Sequence, residues 1–354
     1  MKQNRSRNLT SMTLRWGIIA PGSIARVFAS DLTILDPSRK VHRITAVGSR
    51  DSVRAAQFAN DFDIDSHFGS YSEVFQSDSV DVVYIANVQS EHHHTVMEAL
   101  RAGKHVLCEK PFAINMKQAV EMFDFAREKN LFLMEAMWTR FLPHIDAILQ
   151  RIRSGAIGTP RFVIADHGQW VYRKENHRLL DPAKGGGALL DLGVYPITLA
   201  HLILGLPDEI TARASFTERG VDSEVSILMS YGEGRSATLH TTIESVTATR
   251  ATIAGSEGRI EIDRSFYAPT GFTLIRHDGD EERFENPLQI PGYVGLGEQA
   301  KEVARSIAAQ EIESPLRTHQ ETIEVLSILD RIRSEIGLRY PGEVGYSDDA
   351  GIIS

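Results

Sequence analysis

Apolar positions in the first third of the chain come in short runs, separated by stretches with the three-to-four spacing of a helix. Residues 14–20 (Leu-Arg-Trp-Gly-Ile-Ile-Ala) and 80–86 (Val-Asp-Val-Val-Tyr-Ile-Ala) are near-continuous, as in parallel strands buried on both faces. Shorter runs at 44–49, 105–108 and 132–134 predict further strands. Helical periodicity covers 24–34, 52–60, 91–102 and 116–129, and Gly103 stops the third of these. Strands alternating with helices predict a parallel, doubly wound sheet.

After about Trp138 the pattern changes. A helix (144–153) and a long strand (160–169) lead into a polar loop, then a glycine-rich helix start at Gly185-Gly186-Gly187. Residues 209–285 are strand-rich: Gly258-Arg-Ile-Glu-Ile-Asp263 alternates in and out, and Tyr231-Gly-Glu-Gly234 is a hairpin turn. Helices at 298–309 and 319–336 close the chain. The predicted organisation is a leader (1–13), an α/β domain (14–137) and an α+β domain (138–354) on a large, mostly antiparallel sheet. One face of that sheet is open and is a candidate homodimer surface.

The 354 residues suit two domains, and a formal charge of −9 argues against general binding to nucleic acid or acidic membranes. The single cysteine, Cys108, excludes an internal disulfide framework and fits a reducing cytoplasm. No apolar run approaches the roughly 20 residues of a membrane span. Residues 1–13 are polar and basic, which predicts a disordered leader rather than a secretory signal.

The first strand runs into Ala20-Pro21-Gly22-Ser23-Ile24-Ala25, placed as a dinucleotide turn requires, although alanine stands where the first glycine is usual. The glycine-rich turn lets backbone N–H groups meet a pyrophosphate at a helix N-terminus. The second strand ends in Gly48-Ser49-Arg50 with no acidic residue at its tip, and Arg54 follows one turn into the next helix. Serine and arginine suit the 2′-phosphate of NADP, whereas Asp51 offers a ribose ligand for NAD; the balance favours NADP.

Lys110 precedes Pro111 at the end of a strand, and Asp191 and Tyr195 lie four residues apart on a predicted helix. A cation, a carboxylate and a phenol beside a nucleotide site are what hydride exchange with a carbonyl needs. Tyr195 is the candidate acid/base, Lys110 the cation that lowers its pKa, and Asp191 the residue that orients them. The run His92-His93-His94 resembles a metal site only superficially, since consecutive helical residues point about 100° apart; no metal is expected. Trp170, Tyr172, Arg173, His177 and Arg178 sit on the loop that leads to this helix and are candidate pocket-lining residues.

With these features the chain resembles the glucose–fructose oxidoreductase/inositol dehydrogenase/MocA family, and within it the dimeric dihydrodiol dehydrogenase and NADP-dependent sugar dehydrogenase branch. The likeness spans residues 14–341 and is most specific in Ala99-Leu-Arg-Ala-Gly-Lys-His-Val-Leu-Cys-Glu-Lys-Pro111. Glu135-Ala-Met-Trp-Thr-Arg-Phe-Leu-Pro143 and Gly185-Gly-Gly-Ala-Leu-Leu-Asp-Leu-Gly-Val-Tyr195 add to it. The resemblance implies a Rossmann domain, an α+β domain whose open sheet makes the oligomer contact, and a Lys110–Pro111 peptide that is often cis. It places Glu109, Lys110, Asn87 and His92 near the nicotinamide end of the cofactor, and Trp138 and Arg140 near the substrate mouth. Inositol-type members carry histidine and aspartate where this chain has Tyr195 and Thr198, which makes inositol a poor substrate candidate. The implied activity is NADP(H)-dependent oxidation or reduction of a sugar or sugar-derived diol. The alternatives are a trans-dihydrodiol dehydrogenase acting on aromatic diols and a non-catalytic, dinucleotide-sensing regulator.

Overall fold

A six-stranded parallel sheet, in the order β3-β2-β1-β4-β5-β6, forms the first half of the computed structural model, which describes residues 13–171 and 177–343. Its strands are β1 (Leu14–Ile19), β2 (His42–Gly48), β3 (Ser66–Phe68), β4 (Val82–Ile85), β5 (His105–Glu109) and β6 (Leu133–Ala136). Helices α1 (Ser23–Leu35), α2 (Ser52–Phe62), α3 (Tyr71–Gln76), α4 (His92–Arg101) and α5 (Met116–Lys129) connect them. The expected leader up to residue 12, and Tyr172 and Arg173 of the polar loop, lie outside the described residues.

Trp16, Ile18, Val82 and Val83 of the two central strands have no solvent exposure. Burying each such side chain stabilises the fold by about 1.5–3 kcal/mol, which fixes this pair at the middle of the sheet. Strand order reverses between β1 and β4. At such a reversal the following helices diverge and leave a crevice at the carboxyl ends of the strands. β3 and α3 go beyond the predicted elements: β3 is three residues long and only half-buried, so it leaves no apolar run to read.

The second sheet has eight strands, β7 (Pro160–Gly168), β8 (Glu209–Phe216), β9 (Asp222–Tyr231), β10 (Arg235–Thr242), β11 (Ala251–Gly255), β12 (Gly258–Ile262), β13 (Phe272–Arg276) and β14 (Glu281–Phe284). They lie in the order β14-β13-β12-β11-β7-β10-β9-β8, and every pairing is antiparallel except β7 with β10. After α6 (Pro143–Arg153) the chain enters this sheet, whose inner face (Val163, Ala165, Ile227, Leu239) packs against α7 (Val194–Leu204) as part of one continuous core. The outer face leaves Ile164 and Leu228 each 47% exposed.

Residues Pro182–Leu204, which include α7, meet the length and composition of a membrane-crossing helix, although Gly185 and Gly187 (φ 71° and 113°) break the helical path near its start. The interruptions at Lys184 and Asp191 hide it in the sequence, and 89% of its most apolar window is buried inside the protein, as in a core helix.

The chain then returns to the first sheet through α8 (Gly297–Ala308) and α9 (His319–Ile336). The fully buried Asp31 of α1 accepts hydrogen bonds from the backbone N–H groups of Val294, Gly295 and Gly297, where its charge faces the start of α8. Arg317 pairs with Glu135 at 2.6 Å, both 2% exposed, and Glu135 also accepts from the backbone of Phe112 at 3.2 Å. That carboxylate holds the loop after Lys110 against α9.

Candidate active site

A cleft of about 710 Å³ opens at the strand-order reversal. It is lined by Ala20, Gly22, Ser23, Ile24, Ser49, Arg50, Arg54, Asn87, His92, Glu109 and Lys110, together with Asp191 and Tyr195 from the second domain. The structure therefore brings together in one cleft all the cofactor and catalytic candidates read from the sequence.

At its nucleotide end, Ala20 takes the left-handed conformation (φ 63°) that a glycine would adopt freely, and its carbonyl accepts from Gly22 N at 2.7 Å. The tight turn survives the missing glycine at a cost of about 1 kcal/mol. Helix α1 has no side-chain cap, and its start at Gly22, Ser23 and Ile24 lines the cleft. Asp51, by contrast, caps α2, accepting from Val53 N at 3.0 Å and Arg54 N at 3.1 Å. Among the described residues neither Arg50 nor Arg54 pairs with a carboxylate, and Arg50 faces the Tyr71 hydroxyl.

Further in, Asn87 donates to Thr95 at 2.8 Å while its Oδ1 is buried without a partner. His92 lies with one ring nitrogen 2.9 Å from the Pro111 carbonyl and the other 3.1 Å from that of Asn87. Burial pushes its pKa down to about 4, so a neutral ring donates to only one of them. The neighbouring histidines turn away: His93 meets Glu121 and His94 meets Glu98. Among the described residues no cluster of three or more His, Cys, Asp or Glu side chains is placed to hold a metal ion.

The Lys110–Pro111 peptide is cis. Lys110 Nζ donates to the Asp191 carbonyl at 2.7 Å and lies 3.2 Å from Asp191 Oδ1, where Arg178 also donates at 2.8 Å. Burial opposes the Asp191 charge, but these two cations outweigh it and hold the carboxyl well below the usual range. Burial likewise opposes the Lys110 charge, and Asp191 and Tyr195 override it to raise the ammonium's pKa. Beside them Glu109, buried and hydrogen-bonded by Tyr84, is pushed up by burial to about 7.

Asp191 sits in a wide π-turn, Leu189–Gly193, rather than in the regular helix expected, and α7 begins only at Val194. Such turns re-aim side chains and recur at functional sites. The glycine run makes it possible: Gly187 (φ 113°) passes so close to Asp222 that a Cβ would lie 1.9 Å from its carboxylate. Asp222 in turn caps the turn through Leu189 N at 2.6 Å.

Lys110 Nζ lies 4.7 Å from the centroid of the Tyr195 ring, and Trp138 Nε1 donates to the Tyr195 hydroxyl at 3.0 Å. Burial raises the phenol to about 12, with Lys110 and the Trp138 bond pulling the other way. The expected lowering by Lys110 is present but outweighed, so Tyr195 is protonated at neutral pH. Trp138 is buried behind Tyr195 rather than at the mouth of the cleft. Arg140 lines a second, small cavity with Thr198 and Phe266, which shares Tyr195 with the cleft, and Trp170 is 51% exposed and outside the cleft lining. Sequence reasoning missed Gln89, Gln169, His167 and Tyr267. Of the loop candidates, Arg178 lines the cleft.

Comparison with known proteins agrees with this fold. Residues 14–137 match the model of an oxidoreductase family with an NAD-binding Rossmann fold, and residues 145–261 match the GFO/IDH/MocA C-terminal domain. The chain is 32% identical over 337 residues to a trans-1,2-dihydrobenzene-1,2-diol dehydrogenase of Xenopus tropicalis, covering 93% of this chain and 100% of that one. The Sus scrofa enzyme of the same name is 34% identical over 339 residues, covering 93% and 99%. Among solved structures, a 3-ketoreductase from Actinomadura kijaniata in complex with NADP and TDP-benzene superposes with a TM-score of 0.80 at 27% identity, covering 92% of this chain and 98% of that one. The chain belongs to the GFO/IDH/MocA oxidoreductase family.

Proposed function

We propose that this family member is an NADP(H)-dependent oxidoreductase that interconverts a secondary alcohol or hemiacetal with a carbonyl on a sugar or sugar-derived diol. The observation that carries the reading is the grouping of Lys110, Asp191 and Tyr195 at the inner end of a dinucleotide cleft. When bound, NADP(H) supplies or accepts the hydride. The orphaned Asn87 Oδ1, the uncapped start of α1, and Arg50 and Arg54, which pair with no carboxylate among the described residues, fit such a cofactor. Asp51 is spent on its helix cap, which favours the phosphorylated nucleotide over NAD. The A. kijaniata relative holds NADP, and the dihydrodiol dehydrogenases act on a diol, as their names state.

In the reductive direction Tyr195 gives its proton to the oxygen of the reacting carbonyl; in the oxidative direction it takes the hydroxyl proton. Lys110 sets a positive charge beside the developing alkoxide. Asp191, pinned by Arg178, keeps Lys110 charged and aimed. Aromatic diols form a second substrate reading, favoured by the rings of Trp138, His167 and Tyr267 around Tyr195. The exposed outer face of the second sheet, with Ile164 and Leu228, supports a homodimer, and a buried, unpaired Cys108 supports a cytoplasmic location.

The test is a fluorescence titration with NADPH and NADH, followed by turnover of NADP⁺ with sugars and vicinal diols. Tighter NADPH binding with turnover of at least one diol or sugar is expected. Binding of neither nucleotide contradicts the reading.

A further inference from the structure

His167 of β7 stacks on Tyr267 (ring centroids 4.4 Å apart), and both rings pack against Tyr195, at 5.5 and 4.7 Å. Its Nδ1 lies 3.3 Å from the Leu192 carbonyl, in the π-turn that carries Asp191. A carbonyl only accepts, so Nδ1 carries the proton. Burial pushes the ring's pKa down to about 4, so it is neutral and its Nε2 has a bare lone pair. Gln169 approaches that lone pair at 3.2 Å. Only the amide nitrogen of Gln169 satisfies it, which fixes the orientation of the amide. The Tyr267 ring, stacked on His167, closes the same side of the site.

The amide nitrogen of Gln169 is therefore turned toward His167 and the ring wall. Gln169 lines the same cleft as Lys110, Asp191 and Tyr195 and is exposed to it. We propose that Gln169 Oε1 is a specificity element, accepting a hydrogen bond from a second substrate hydroxyl near the carbon that reacts. The inference rests on the proposed function and narrows it: the site selects vicinal diols, and sugars with a free neighbouring hydroxyl, over simple alcohols. A site built to pair a substrate hydroxyl rejects analogues that lack it, because its own polar group is then left bare.

The test uses the full chain with NADP⁺ and two matched pairs of substrates: trans-cyclohexane-1,2-diol against cyclohexanol, and D-glucose against 2-deoxy-D-glucose. For the wild type, kcat/KM favours the hydroxylated member of the pair that is turned over. Gln169→Ala reduces that preference about 10- to 100-fold, as expected for a lost hydrogen bond to a desolvated hydroxyl, while NADPH affinity shows that the cleft is intact. Equal losses on both members of a pair, or an unchanged preference, overturn the role of Gln169 and leave the proposed function standing. A wild type that binds NADPH but oxidises none of the four contradicts the sugar-or-diol reading, and the proposal falls with it.

Discussion

Trp138 Nε1 donates to the Tyr195 hydroxyl at 3.0 Å, across 57 residues of sequence. The indole occupies an acceptor site on the phenol, favours its ionised form and leaves the phenolic proton free to face the cleft. Trp138→Phe keeps the packing and removes the donor, so the Tyr195 pKa rises further. Oxidation should slow about five- to tenfold, the worth of one hydrogen bond, and its pH–rate profile should move to higher pH. An unchanged profile would show that the indole only fills space.

The nucleotide end of the cleft separates two roles that the sequence leaves open. Arg50→Ala with Arg54→Ala should weaken NADPH binding by more than about 100-fold, at roughly 1.5–3 kcal/mol per charged hydrogen bond, with little effect on NADH. Asp51→Ala should cost about 1 kcal/mol of stability through the lost cap and leave nucleotide preference unchanged. Isothermal titration and thermal melts on the three proteins check both statements. A shift of preference in Asp51→Ala would return the ribose role to that residue.

Asp191 accepts from both Lys110 and Arg178, and its side chain is only 8% exposed. Asp191→Asn leaves two cations facing each other with nothing between them. Activity at neutral pH should fall about 100- to 1000-fold, and the Lys110 pKa should drop, moving the alkaline edge of the pH–rate profile to lower pH. Retained activity with an unmoved edge would remove Asp191 from the machinery.

Burial holds His42, His92, His144 and His167 each at about 4 in the fold, against 6.5 when free. Between those values the unfolded chain binds more protons, so stability rises with pH across the window and is lost as pH falls from about 6.5 toward 4. Glu109 and Asp222, raised by burial to about 7, act in the opposite sense over a similar range. The histidines outnumber them. Melting temperature should fall from pH 7 to pH 5, with net proton uptake on unfolding; a higher melting temperature at pH 5 would contradict this.

Much of the fold was legible because buried parallel strands leave continuous apolar runs, as at Trp16–Ile19 and Val82–Ile85. The catalytic candidates were legible because Lys110 and Asp191 are each anchored by a local signal, a strand end before proline and a glycine-rich turn. The cap role of Asp51 also had a signal, an aspartate directly before a helix. Other features depend on the assembled fold. His167, Gln169 and Tyr267 reach Tyr195 only through sheet pairing, and the high pKa of Tyr195 follows from a burial that residue types do not reveal.

The central claim is that Tyr195 moves the proton in a reaction whose hydride passes to or from NADP(H). It is tested most directly by Tyr195→Phe, assayed for NADPH binding and for turnover of the best diol or sugar. The account predicts near-native NADPH affinity with kcat lower by about 1000-fold, the scale of general acid–base catalysis. A phenylalanine variant that binds NADPH and still turns over at a rate close to wild type would contradict it.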